Sequence, residues 1–131
     1  MKHYRMRLEL SWDDSNYPKG ELRAADFTPV VSTWLRHNNI DPNIVDDFEV
    51  ALDEPFSYGF TDMTSKQVID LLTAIAGAFP EVRFYARGFG LSFGDIWLRV
   101  FYQGAVVFEE GPFHNMLSGG KKGGWLSKLF R

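Results

Sequence analysis

The amino-acid sequence predicts an α+β fold: a two-layer sandwich with a mainly antiparallel sheet, two helices on one face and a short C-terminal amphipathic helix. Three observations lead there. Three stretches alternate with period 2, the spacing that sends successive strand side chains to opposite faces. Residues 64–79 instead place Val68, Leu71, Leu72, Ile75 and Phe79 at helical spacing. Turn residues then divide the chain in the order β-α-β-α-β-β-β, with about five strands.

Residues 1–12 are expected to form the first strand, with Tyr4, Met6, Leu8, Leu10 and Trp12 on one side and Arg5, Arg7, Glu9 and Ser11 on the other. Asp13-Asp14, Asn16-Tyr17-Pro18 and Lys19-Gly20 mark residues 13–25 as loop. The first helix is expected to begin at Thr28, a good N-cap, with Pro29 in the first helical position. Val30, Val31, Trp34 and Leu35 form its apolar side, and Asn38-Asn39 end it. Residues 44–52 alternate again, Phe48, Val50 and Leu52 opposing Asp47, Glu49 and Ala51. Asp53-Glu54-Pro55 is a bulge or turn, and Phe56, Tyr58 and Phe60 extend that strand or form its hairpin partner.

The second helix runs from Thr64 to Phe79, where Thr64 and Gln67 make a capping box and Pro80 stops the helix. Strands follow at 82–88, 95–102 and 105–110, with 88–94 as a glycine-rich loop and Gln103-Gly104 as a two-residue hairpin turn. Val82, Phe84 and Ala86 oppose Arg83, Tyr85 and Arg87. Ile96, Leu98, Val100 and Tyr102 oppose Trp97, Arg99 and Phe101. The first group of each strand is expected to be buried, the second to lie on an open face.

The chain has 131 residues, enough for one domain that buries roughly two-thirds of its unfolded surface. The expected division is a domain over 1–117, a Gly/Lys linker over 118–124 and an amphipathic basic tail over 125–131. With no cysteine, disulfides and Cys-based metal sites are ruled out. The first residues lack the apolar run of a signal peptide, and no run approaches the ~20 residues of a membrane span. A cytoplasmic location is the expectation.

Charge is unevenly spread. The whole chain sums to −3; residues 121–131 carry Lys121, Lys122, Lys128 and Arg131 with no acid, so the other 120 residues carry −7. Between 41 and 54 stand Asp41, Asp46, Asp47, Glu49, Asp53 and Glu54 with no base.

No reaction is legible. His3, His37 and His114 have no ligand spacing to one another, so no metal is expected. A nucleophile elbow is absent, and Gly88-x-Gly90-x-x-x-Gly94 has neither the spacing nor the following helix of a nucleotide site. No cofactor is expected.

Three surfaces remain. The first is an arginine and aromatic face, with Arg83, Tyr85, Arg87, Trp97, Arg99 and Phe101 at its centre. Such a face stacks bases and holds phosphate, or else forms cross-strand ion pairs inside the sheet. The acidic body weighs against nucleic acid. The second is the acidic set Asp46, Asp47, Glu49, Asp53 and Glu54, which steers a basic protein partner or simply solvates an edge strand. The third is the tail. Trp125, Leu126, Leu129 and Phe130 lie on one side of a helix too short to stand alone, so they are expected to dock in an apolar groove on this chain or on a second copy, as in a homodimer.

These observations lead to a small cytoplasmic, non-enzymatic protein-binding domain of the inhibitor, immunity or adaptor type. It engages a basic partner through the acidic set, with Trp97 and Phe101 as aromatic anchors if exposed. The alternatives are single-stranded nucleic-acid binding by the sheet face and a small-ligand enzyme with a pocket at Phe56, Tyr58, Phe60 and the 88–94 loop.

Overall fold

A computed structural model describes residues 4–46 and 57–113, with only the backbone described at Ser57 and Tyr58. Five strands form one sheet: β1 (Met6–Asp13), β2 (Ser57–Thr61), β3 (Arg83–Gly90), β4 (Ile96–Tyr102) and β5 (Ala105–Glu110). Their spatial order is β2-β1-β3-β4-β5, and every neighbouring pair is antiparallel. Two helices, α1 (Ala24–His37) and α2 (Ser65–Ala78), pack on each other and on one face of the sheet. The observed order is the β-α-β-α-β-β-β order expected. The C-terminal helix, the linker and the tail lie outside the described residues.

Helix α2 follows from its sequence. The Gln67 N–H donates to Thr64 Oγ1 (3.3 Å) and the Thr64 N–H to Gln67 Oε1 (2.9 Å), which satisfies two otherwise orphaned donors. Val68, Leu71, Leu72 and Ile75 are buried, as is Phe79 just beyond the helix.

Helix α1 starts four residues earlier than Thr28. Its N-cap is Arg23, whose backbone N–H donates to the Asp26 carboxylate (2.9 Å). Pro29 therefore sits inside the helix, where it forgoes one backbone bond. Phe27 decides the matter: the earlier start places it on the buried side with Val31 and Leu35, at i, i+4 and i+8. The helix ends at Asn38-Asn39 as expected. Asn39 takes a positive φ of 55°, and the Ile40 N–H reaches back to the Leu35 carbonyl (3.0 Å).

After α1, Pro42–Ile44 is a 3₁₀ turn whose Asp41 carboxylate accepts from the Asn43 N–H (3.0 Å). The expected strand at 44–52 thus does not begin at Ile44; residues 47–52 lie outside the described set.

The core draws Met6, Leu8, Leu10 and Trp12 from β1 and Phe84 and Ala86 from β3, together with the helix residues named above. Phe27 is its aromatic hub, with ring centroids 5.3 Å from Trp12, 5.6 Å from Phe79 and 6.1 Å from Phe84, all edge-on.

Strand β4 reverses the expected orientation. Trp97 and Phe101 point into the core and are fully buried, and Arg99 goes in with them; Ile96, Leu98, Val100 and Tyr102 face the other side. The cause lies across the ladder. Trp97 pairs with Gly88, whose missing side chain makes room for the indole, and Phe101 pairs with Phe84. Gly88 and Gly90 consequently belong to β3, and the glycine-rich loop shrinks to residues 91–95.

Candidate functional site

Because both helices take one face of the sheet, the other carries the chemistry that strand alternation sends there. Ladder register arranges it in rows. One row is Glu9, Arg87, Leu98 and Glu110; the next is Ser11, Tyr85, Val100 and Phe108. Among the described residues, nothing covers these rows.

The face has two halves. On β1 and β3 the charges are paired. Glu9 accepts from Arg87 Nε at 2.7 Å and from Arg7 at 3.5 Å, so one carboxylate holds two guanidinium groups. Arg83 stacks its guanidinium 4.3 Å from the Tyr102 ring centre, a cation–π contact. It also lies near Asp13. Hydrogen bonds from the Ser15 backbone and side chain hold the Asp13 carboxyl below its ordinary value of 3.8, and the positive charge of Arg83 adds to them.

Toward β4 and β5 the face is apolar apart from Glu110, and Tyr85 of β3 joins it. Ile96, Leu98, Tyr85 and Phe108 are 36–49% exposed, large for side chains of this type standing side by side. Leu91 and Phe93, in the β3–β4 turn, extend the exposed apolar surface at one end. Where the two halves meet, Glu9, Ser11, Tyr85, Arg87, Leu98 and Val100 line an open groove of about 380 Å³.

The residues singled out from sequence divide accordingly. Arg83, Tyr85 and Arg87 are on the open face. Trp97, Arg99 and Phe101 are on the helix-covered face, so the six never form one surface, and Trp97 and Phe101 reach no partner. Arg99 is a tie instead. Its Nη1 donates to the Leu98 and Glu110 carbonyls (2.8 and 3.0 Å) and its Nη2 to the Gly111 carbonyl (2.9 Å), while Glu109 stands 3.7 Å from Nε. Asp46 is exposed. Asp47, Glu49, Asp53, Glu54, Trp125, Leu126, Leu129 and Phe130 lie outside the described residues. Phe60 is 46% exposed and away from the groove; Phe56 and the Tyr58 side chain are outside the described set.

Sequence reading missed Leu98, Val100 and Phe108 as surface residues. One signal was available: a glycine on β3 opposite a tryptophan on β4 marks the side on which the large ring fits. Among the described residues no group of three or more His, Cys, Asp or Glu side chains is placed to hold a metal ion, and no helix is long and apolar enough to cross a membrane. No protein-family model, curated protein or solved structure matches the chain at a significant level.

Proposed function

We propose that this chain is a small, non-enzymatic, cytoplasmic protein-binding domain of the inhibitor or adaptor kind, and that its partner docks on the open face of the sheet. One observation carries the reading: Tyr85, Ile96, Leu98 and Phe108 stand exposed together on a rigid sheet beside a band of paired charges. An apolar patch rimmed by polar groups is the ordinary make-up of a protein interface. Tyr85 and Phe108 take the anchoring role that Trp97 and Phe101 lose by burial. The acidic residues from Asp46 to Glu54 keep their role as steering charge toward a basic partner.

Composition supports a binder over an enzyme. The chain has no cysteine nucleophile, and His37 belongs to the helix layer, on the other side of the sheet from the groove. The nucleic-acid alternative loses its aromatic platform with Trp97 and Phe101, and Arg87 is already engaged by Glu9.

The test is affinity capture from the source cell with the full chain and with Leu98→Glu, whose side chain is exposed, so the fold tolerates the charge. The reading expects a protein captured by the wild type and lost from the variant at equal circular dichroism. Capture of nothing, or capture that Leu98→Glu leaves unchanged, overturns it.

A further inference from the structure

We propose that the chain's own C-terminal segment, residues 125–130, occupies the apolar half of the open face. Four observations converge on this occupant. The first is where the chain leaves the sheet. Beyond β5, Gly111 packs against the Ile96 carbonyl and the Phe113 N–H donates to the Gly94 carbonyl (2.8 Å). The tail therefore departs beside Ile96, at one end of the apolar strip.

The second is reach. Residues 114–124 give eleven residues of tether, up to roughly 36 Å when extended. Five strands span about 19 Å across. Trp125 can thus arrive anywhere on this face, at the high effective concentration of a short link.

The third is shape. At about 100° per residue, Trp125, Leu126, Leu129 and Phe130 fall within an arc of about 140°, and Ser127, Lys128 and Arg131 fall on the opposite side. Six helical residues measure about 9 Å by 10 Å. The strip from Tyr85 through Val100 to Phe108 crosses two strand spacings, about 10 Å.

The fourth is charge. The segment 121–131 carries +4 and the rest of the chain −7. Glu110 stands in the row beside Leu98, at the edge of the strip where Lys128 or Arg131 would lie. The balance draws a basic segment to the chain as a whole; on this face Arg7, Arg83 and Arg87 are offset by Glu9, Asp13 and Glu110, and Glu110 is the acid at the apolar strip. As regulation of partner access, the contact rests on the partner-binding reading above. As a contact within the chain, it is tested with no partner present.

Since the chain has no cysteine, Ser127→Cys creates a single thiol on the polar side of the segment. A nitroxide there is expected to broaden the amide signals of Leu98, Val100 and Phe108 in the same ¹⁵N-labelled chain. The broadening should fall at least several-fold when Trp125→Ser and Phe130→Ser are added. It should be absent when nitroxide-bearing, unlabelled chains are mixed with ¹⁵N chains. Equal broadening in the mixed sample assigns the face to a second copy and overturns the proposal. So does broadening that survives the two serines, which reports the tether alone, and so does no broadening of the three amides. Absence of broadening leaves the capture result standing, whereas broadening means that the capture experiment is read with the Trp125→Ser, Phe130→Ser chain, whose face is open to a partner.

Discussion

Gly88 on β3 and Trp97 on β4 face each other across the ladder, and the indole fills the space that a β-carbon at residue 88 would need. This one complementarity sets which side of β4 is buried, and so which side is left to act as a surface.

Gly88→Ala is therefore expected to destabilise the domain by about 1–3 kcal/mol, the usual cost of forcing extra volume into a packed interior. Urea unfolding measures it. Combining Gly88→Ala with Trp97→Leu should cost less than the sum of the two single changes, because the smaller side chain makes room for the new methyl.

Phe27→Ala should be among the most damaging single changes. Its ring touches Trp12, Phe79 and Phe84, joining α1 to the sheet and to the end of α2, and it has no solvent exposure. The expected loss is about 3–5 kcal/mol, read from the thermal or urea midpoint.

Arg99→Met should loosen the end of β5 more than the rest of the sheet. Three carbonyls, of Leu98, Glu110 and Gly111, lose their guanidinium donor. A cost of about 1–3 kcal/mol is expected, with faster amide exchange around Glu110. Arg99→Lys should recover little, since one ammonium cannot span what a forked guanidinium spans.

Asp13 gives an acid-side dependence. Its folded pKa is depressed by the Ser15 hydrogen bonds and then by Arg83, so its contribution to stability is full above its unfolded pKa and fades as pH falls through the folded value, below 3.8. The stability gap between wild type and Asp13→Asn should be flat above about pH 5 and shrink toward pH 2. A gap that widens on acidification would show the sign to be wrong.

Single-stranded oligonucleotides are expected to bind with no measurable affinity at physiological salt. Glu9 holds Arg7 and Arg87, Arg83 lies over Tyr102, and the Trp97 and Phe101 rings of β4 are enclosed. Fluorescence anisotropy with a labelled oligonucleotide checks this. Glu9→Gln should raise any low-salt binding, by releasing two guanidinium groups toward phosphate.

Much of the architecture was legible before the structure. The Thr64/Gln67 pair and the stripe through Val68, Leu72 and Ile75 specify α2 by themselves, because capping and helical spacing are local. Strands β1 and β3 were equally plain: one side is apolar and the other charged, so alternation names the buried side. The positive φ of Gln103 and Gly104, 54° and 75°, is what a two-residue hairpin turn demands.

The start of α1 and the facing of β4 belong to the tertiary structure. Thr28-Pro29 is a good local helix start, yet burying Phe27 against three rings outweighs it. In β4 both sides are apolar, Ile96, Leu98 and Val100 on one and Trp97 and Phe101 on the other. Alternation there reports a strand but not its inside. Pairing with β3 chooses, since only Gly88 leaves room for the indole, and the carbonyls at the end of β5 give Arg99 the partners that let a charge follow Trp97 inside. Local order is written in neighbouring residues. The surface this chain presents is decided by contacts between strands, where the volume on one side is set by a residue on the other.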